Sequence, residues 1–339
     1  MNGRERFERM ILGRPIDRRP FGAILSLYGA VLTGCPTERY YNDAAAFALG
    51  QDAVMREVGP DFLTGPFLLA GFGEAFGSSL HYADRYVPTL SRPAISSAAD
   101  IPSLSVPDVD AHPRILFYRD SIRRMAAAHG KEALILAVVL NPLDLPLMIL
   151  GPEAWLLTVL TDGDGTRRML DLTIPFFTLL CRSLFSDGAD VIAMPMSFFT
   201  RAVTTDRLVR QLALPVLQEA LPGVRGPVLF HHTGSSFIDH IGLLDALAGA
   251  TAYSLDVHDD IADARRRIRG ESLLLAGFDG PSLHALTPAE IRGRCLELLR
   301  EHGDDGRFIP AATGTDVDPR TPLESLLAIR RAVEEFGSG

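Results

Sequence analysis

From residue 130 to the C-terminus the sequence repeats one unit: a short apolar run, a polar loop, then a segment of helical period. The runs are ALILAVVL (133–140), ADVIAMP (189–195), PVLFHH (227–232), TAYSLD (251–256), SLLLAGF (272–278) and RFIPAA (307–312). Helical periodicity falls at 166–186, 206–220, 237–248, 260–268, 288–302 and 322–336. Thr287 and Thr321 each place a capping hydroxyl ahead of a proline suited to a first helical turn. Upstream, RPFGAILSL (19–27) and DFLTGPF (61–67) add two strand candidates around a helix near 43–58. About eight strands, apolar on both faces and alternating with helices, are what a closed parallel barrel requires. An open doubly wound sheet is the main rival, but GFGEAFG (71–77) is one residue too long for its phosphate fingerprint. The expectation is a single (β/α)₈ TIM barrel over residues 1–339. The Pro/Ser-rich stretch 81–113 is expected as an irregular excursion over its rim.

The net charge of -9 argues against a nucleic-acid partner, because no basic face would neutralise phosphates. The densest cationic run, ARRRIR (264–269), reads as a solvated helix end. The N-terminal MNGRERFERMILG is too polar for a signal peptide. The most apolar stretch, LILAVVLNPLDLPLMIL, is broken by Asn141, Pro142, Asp144 and Pro146, which a membrane span tolerates poorly. Cys35, Cys181 and Cys295 show no C-x-x-C spacing and are odd in number. The reading is a reduced, cytoplasmic protein without membrane contact.

In a parallel barrel, chemistry sits at the C-terminal strand ends. Those ends offer Ser26, Tyr28, Thr64, Asn141, Asp144, Met194, Met196, Ser197, His231, His232, Asp256, His258, Asp279, Thr313, Thr315 and Asp316. His231, Asp256, Asp279 and Asp316 come from four successive strands and are the catalytic candidates. Strand alternation lets only one of His231 and His232 face the axis. Bland roles compete: either histidine can simply bond a loop carbonyl, and Asp256 and Asp316 can cap the helices that follow. Met194 and Met196, with Phe198 and Phe199, are expected to form an apolar wall.

Several ordered segments resemble the uroporphyrinogen decarboxylase superfamily, especially its methyltransferase branch of methylcobalamin:coenzyme M methyltransferases. They are RERFERMILGRPIDRRPF, EAFGSSLHYADRYVPTLSRPAISSAADI, DGADVIAMP, GPVLFHHTGS, AYSLD, LAGFDG and IPAATGTDVDPRTPLESLLAIRRAVEEFG. The resemblance implies a (β/α)₈ barrel across nearly the whole chain. It also implies, for that branch, a zinc site written His-x-Cys-Gly and Gly-Cys-Asp. His231 falls at the histidine position, whereas Thr233 and Thr315 fall where the two cysteines belong. A threonine hydroxyl stays protonated near neutral pH and is a poor zinc ligand, so zinc is not expected. The decarboxylase branch is marked by Arg-Gln-Ala-Gly-Arg-Tyr after the first strand; here ILSLYGAVLTG stands there, without arginine. A substrate with eight carboxylates would find too little positive charge.

The resemblance thus points to a methyltransferase-like enzyme. It would work with a corrinoid, free as cobalamin or on a corrinoid-binding protein, and a small acceptor that is not a thiol or a methoxylated donor. His231 is expected to give or take a proton, oriented by Asp256, Asp279 or Asp316. Tyr28, Asn141, Met194, Met196, Ser197, His232, Thr233, His258 and Thr315 are expected to line the substrate pocket. Three alternatives stay open. One is a cofactor-free decarboxylase of a tetrapyrrole-like or small acid. Another is an oxygen-and-nitrogen metal site of His231, His258, Asp256 and Asp279. The last is a paralogue that binds a corrinoid or ligand without turnover.

Overall fold

In the computed structural model, which describes residues 1–268 and 271–337, eight parallel strands form one sheet. They are β1 (Gly22–Ala23), β2 (Phe62–Thr64), β3 (Leu134–Val138), β4 (Val191–Pro195), β5 (Val228–His231), β6 (Ala250–Ser254), β7 (Leu273–Asp279) and β8 (Phe308–Thr313). Hydrogen-bonded neighbours run β2-β3-β4-β5-β6-β7-β8-β1, so chain order is also order around the sheet, and β1 returns beside β8. This is the expected TIM barrel, with helices between strands covering its outer face.

Strand alternation builds two cores. Ile24, Leu136, Val138, Ala193, Leu229 and Leu275 point inward and fill the lumen. Ile135, Ile192, Phe230, Tyr253 and Leu274 point outward and pack beneath the helices. Met194 and Met196 belong to this outer core and are fully buried there. Ala193 holds the inward position on β4, so the expected apolar wall of Met194 and Met196 does not face the lumen. Phe198 and Phe199 are likewise buried in the outer core.

Most helices lie where periodicity placed them, including Ala44–Glu57, Gly163–Ser186 and Pro288–His302, the last with a full capping box at Thr287. Gly163–Ser186 is long and apolar enough to cross a membrane by length and composition. Here its Met169, Leu170, Phe177 and Leu184 are buried against the barrel. The stretch 237–248 departs from expectation: only a 3₁₀ turn, Ile238–His240, and a short helix, Ile241–Leu244, form. Gly242 inside and Gly249 after it deprive that segment of helical preference. The stretch 81–113 contains strand Thr89–Arg92, paired antiparallel with Ser79–His81, and the 3₁₀ turn Ala98–Ser103.

The barrel closes differently at β1 and β2. No strand ladder joins them among the described residues; side-chain bonds and one backbone bond do. At the lower end the Asp61 carboxylate accepts the Phe21 amide at 2.8 Å, while the Asp61 amide donates to the Phe21 carbonyl at 3.0 Å. Two buried guanidinium groups complete the cluster, Arg6 at 2.8 Å and Arg18 at 2.6 Å from the same carboxylate. At the upper end the Ser26 hydroxyl accepts the Phe67 amide at 2.8 Å. Between these ends Gly22 is obligatory: a Cβ there would lie 2.1 Å from the Phe62 ring.

Candidate functional site

The topmost inward layer of the barrel is polar. Thr64 ends β2, His231 ends β5, Ser254 ends β6 and Thr313 ends β8, and all four line a narrow lumen of about 20 Å³. His231 and Ser254 are paired in register on adjacent strands. The Thr313 hydroxyl is placed to donate to the carbonyl of Leu255 or Phe278, at 3.0 and 3.3 Å. The Thr64 and Ser254 hydroxyls and both His231 ring nitrogens are buried without a side-chain hydrogen-bond partner among the described residues. Burial, reinforced by His232, pushes the His231 imidazole down to about 3, so it is neutral at physiological pH. A neutral imidazole offers one donor and one acceptor. The Phe67 ring stands edge-on to it with centroids 5.9 Å apart.

His231 therefore faces the axis, as alternation allows for one of the pair. His232 stacks on it at 5.3 Å and is also buried. The Nδ1 of His232 lies 3.3 Å from the Gly234 amide and 3.4 Å from the Asp256 carboxylate. It can accept from the first or donate to the second, but not both at once. Burial lowers the His232 pKa, while Asp256 and Asp279 pull it upward. The expectation that an aspartate orients His231 does not hold: Asp256 reaches His232 instead, and the polar group acting on the His231 ring is the backbone of His232. Asp256 also accepts the His258 amide, and Asp279 accepts the Ser282 amide, so both stabilise loop turns.

Above the lumen a vestibule of about 840 Å³ opens at the C-terminal face of the barrel. Leu27, Phe67, Leu69, Tyr86, Val87 and Leu90 give it an apolar lining, with the hairpin around residues 79–92 forming one lip. No lysine, arginine or histidine lines it among the described residues; its ionisable groups are the carboxyls of Asp316 and Asp318. Phe67 lines both chambers and separates them. Gly314, at φ 91°, turns the chain after β8 and delivers Asp316 to the vestibule wall. One Asp316 oxygen accepts the Leu27 amide at 2.8 Å, and the other is buried and unpartnered. Burial raises this carboxyl from the ordinary 3.8 up to about 8, against the lowering pull of the Leu27 and Ser26 amides. Asp316 is thus a neutral acid at pH 7.

Several other candidates are engaged elsewhere. The Tyr28 hydroxyl donates to the Thr321 carbonyl at 2.8 Å. Asn141 donates to the Pro195 carbonyl and accepts the Leu143 and Asp144 amides, which folds the loop after β3. Ser197 meets that loop through its amide, which donates to Asp144. Burial lifts the Asp144 carboxyl to about 7 despite this bond. His258 and Thr315 are exposed at the rim, Thr315 also lining the vestibule, and Thr233 is half-buried. Ser254 and Phe67 escaped sequence reasoning. Ser254 shares the parity of inward-facing Ala252, a usable signal, but the run TAYSLD places the strand end two residues late.

No three histidine, cysteine, aspartate or glutamate side chains stand together as a metal-holding group among the described residues. The alternative set fails because His258 is exposed at the rim and His231 lies inside the lumen. His231, Thr233 and Thr315 offer one neutral imidazole and two hydroxyls, which do not fit a zinc–thiolate centre. Cys181 and Cys295 are buried in the outer core, and Cys35 is partly exposed beside the lip.

The uroporphyrinogen decarboxylase (URO-D) family profile matches residues 2–336. The chain belongs to the uroporphyrinogen decarboxylase family. Uroporphyrinogen decarboxylase from Coxiella burnetii is 26% identical, over 98% of this chain and 95% of that protein. Methylcobamide:CoM methyltransferase MtbA from Methanosarcina mazei is 22% identical, over 87% of this chain and 88% of that protein. Among solved structures, a methyltransferase from Methanosarcina mazei superposes with a TM-score of 0.86 at 18% identity, covering 99% of both chains. The uroporphyrinogen decarboxylase fold therefore holds end to end, and the family comprises both decarboxylases and methyltransferases.

Proposed function

We propose that this chain is a methyltransferase-like enzyme that works with a corrinoid and moves a methyl group to or from an oxygen or nitrogen, not a thiol. The observation that carries this reading is the vestibule: apolar, without a lining cation among the described residues, and bordered by a carboxyl that burial keeps protonated. Such a chamber suits a flat, uncharged aromatic and the apolar face of a macrocycle. It disfavours a substrate bearing many carboxylates, which would need arginines to offset desolvation. A corrinoid, free or on a partner protein, would rest against the lip at Tyr86, Val87 and Leu90 and would supply the methyl-carrying cobalt. Removing a methyl group from an ether leaves an oxyanion that needs a proton. Asp316 holds a proton for that oxygen. His231, neutral and deeper, hydrogen-bonds the substrate, and Phe67 keeps solvent out of the lumen.

The test is a spectroscopic assay of cobalamin methylation and demethylation with aryl methyl ethers, phenols, a reduced pterin and thiols. Turnover with ethers, phenols or the pterin but not thiols is expected. His231→Ala should lower kcat/KM by roughly tenfold or more, as loss of a buried hydrogen bond does. Thiol-only turnover would overturn the reading, as would unchanged rates in His231→Ala. Carbon dioxide release from uroporphyrinogen or a small acid would favour the decarboxylase alternative. Cobalamin binding without turnover of any of these substrates would favour the ligand-binding paralogue.

A further inference from the structure

We propose that the narrow lumen beneath Phe67 is a subsite for one uncharged hydrogen-bonding oxygen, a phenolic or alcoholic hydroxyl or an ether oxygen, carried on an apolar body. This rests on the reading above for the substrate's role, not for the subsite itself. Three residues that line the lumen, His231, Thr64 and Ser254, carry buried side-chain polar atoms that no side chain among the described residues hydrogen-bonds. All three residues are at most 3% exposed. A buried polar atom left unpaired costs stability, so several in one small chamber mark a place where something else supplies the bonds. The pattern is not general to the layer, because the hydroxyl of Thr313 reaches backbone carbonyls.

Size and charge define the ligand. About 20 Å³ accommodates one water-sized group, hence a single oxygen and not a carboxylate. The other walls are apolar, including Ile24, Leu136, Leu229 and Leu275, and no cation lines the chamber among the described residues. With His231 neutral, an anion would be desolvated without compensation. The donors and acceptors suit a neutral oxygen: one ring nitrogen of His231, donor or acceptor by tautomer, and two hydroxyls that turn either way. Phe67, anchored through its amide to Ser26, stands between the vestibule and this chamber, so a substrate entering from the mouth passes its ring.

Calorimetric titration with phenol, its near-isostere toluene, and benzoate tests the subsite without any corrinoid. Wild-type protein is expected to bind phenol about tenfold or more tightly than toluene, and benzoate more weakly than either. The Thr64→Val/Ser254→Ala variant should bring the phenol-to-toluene ratio close to one. Its melting temperature should not fall, because neither hydroxyl has a partner to lose within the described fold. Equal binding of phenol and toluene by wild-type protein overturns the proposal. So does an unchanged ratio in the folded variant, or benzoate binding tighter than phenol. If the double variant does not fold, the wild-type ratios and the single Ser254→Ala variant decide. Phenol preference without methyl transfer would keep the subsite and remove the functional reading; methyl transfer without phenol preference would do the reverse.

Discussion

Asp316→Asn is expected to slow methyl transfer by roughly 10²–10³-fold while making the protein more resistant to alkali. The two effects have one cause. In the fold the carboxyl titrates up to about 8, against 3.8 ordinarily, because it is buried beside Tyr40 and Tyr41 with only amide donors on one oxygen. The folded state keeps a proton that the unfolded chain releases above about pH 4. Its stabilising contribution is therefore complete below that pH and is lost as pH rises toward about 8. Within this window each pH unit removes up to about 1.4 kcal/mol. Asparagine cannot ionise, so the variant's melting temperature should exceed wild type at pH 8 and approach it at pH 4–5. Asp144, raised to about 7, keeps a similar dependence in both proteins, so the slope should diminish without vanishing. Wild-type activity should fall above about pH 8 as the acid is deprotonated. A variant with wild-type kcat and only the stability change would reduce Asp316 to a cap for the Leu27 amide.

Asp61→Ala should destabilise the chain by roughly 3–5 kcal/mol in chemical denaturation, the range for stripping one partner from a buried ion cluster. The carboxylate is 2% exposed and bonds Arg6, Arg18 and the Phe21 amide at once. Its removal strands Arg18, whose remaining acceptor is the Arg19 carbonyl, while Arg6 keeps Asp17. Asp61→Asn should fall between wild type and alanine, since the amide oxygen still accepts from Phe21. A loss under about 1 kcal/mol would show that the seam is held by packing, chiefly Phe62 over Gly22, and not by charge.

Much of the fold was legible because barrel strands are short, apolar on both faces and followed by helices that carry caps. The weakest reading concerned β1, where RPFGAILSL suggests nine strand residues and the structure keeps Gly22–Ala23. Its neighbour across the seam offers no ladder, and Tyr28 already begins a helix. The candidate site was legible in part. His231 and Asp316 follow from strand ends and alternation. Which candidate stays free to react does not follow, because that depends on partners distant in sequence. Tyr28 is engaged by Thr321 and Asn141 by the carbonyl of Pro195. Met194 misled because methionine next to a strand end reads as pocket lining, while one step of pleat places it outside the barrel.

The seam between β1 and β2 acts as a pair of clasps. The lower clasp is a charged cluster sealed in the protein interior; the upper is one hydroxyl–amide contact from Ser26 to Phe67. Elsewhere neighbouring strands are joined by a parallel ladder, whereas at the mouth of this seam, among the described residues, the Ser26–Phe67 bond stands in its place. Along one edge the chain thus joins the same two strands by two different chemistries, ion pairs buried at the base and a lone hydroxyl–amide bond at the mouth.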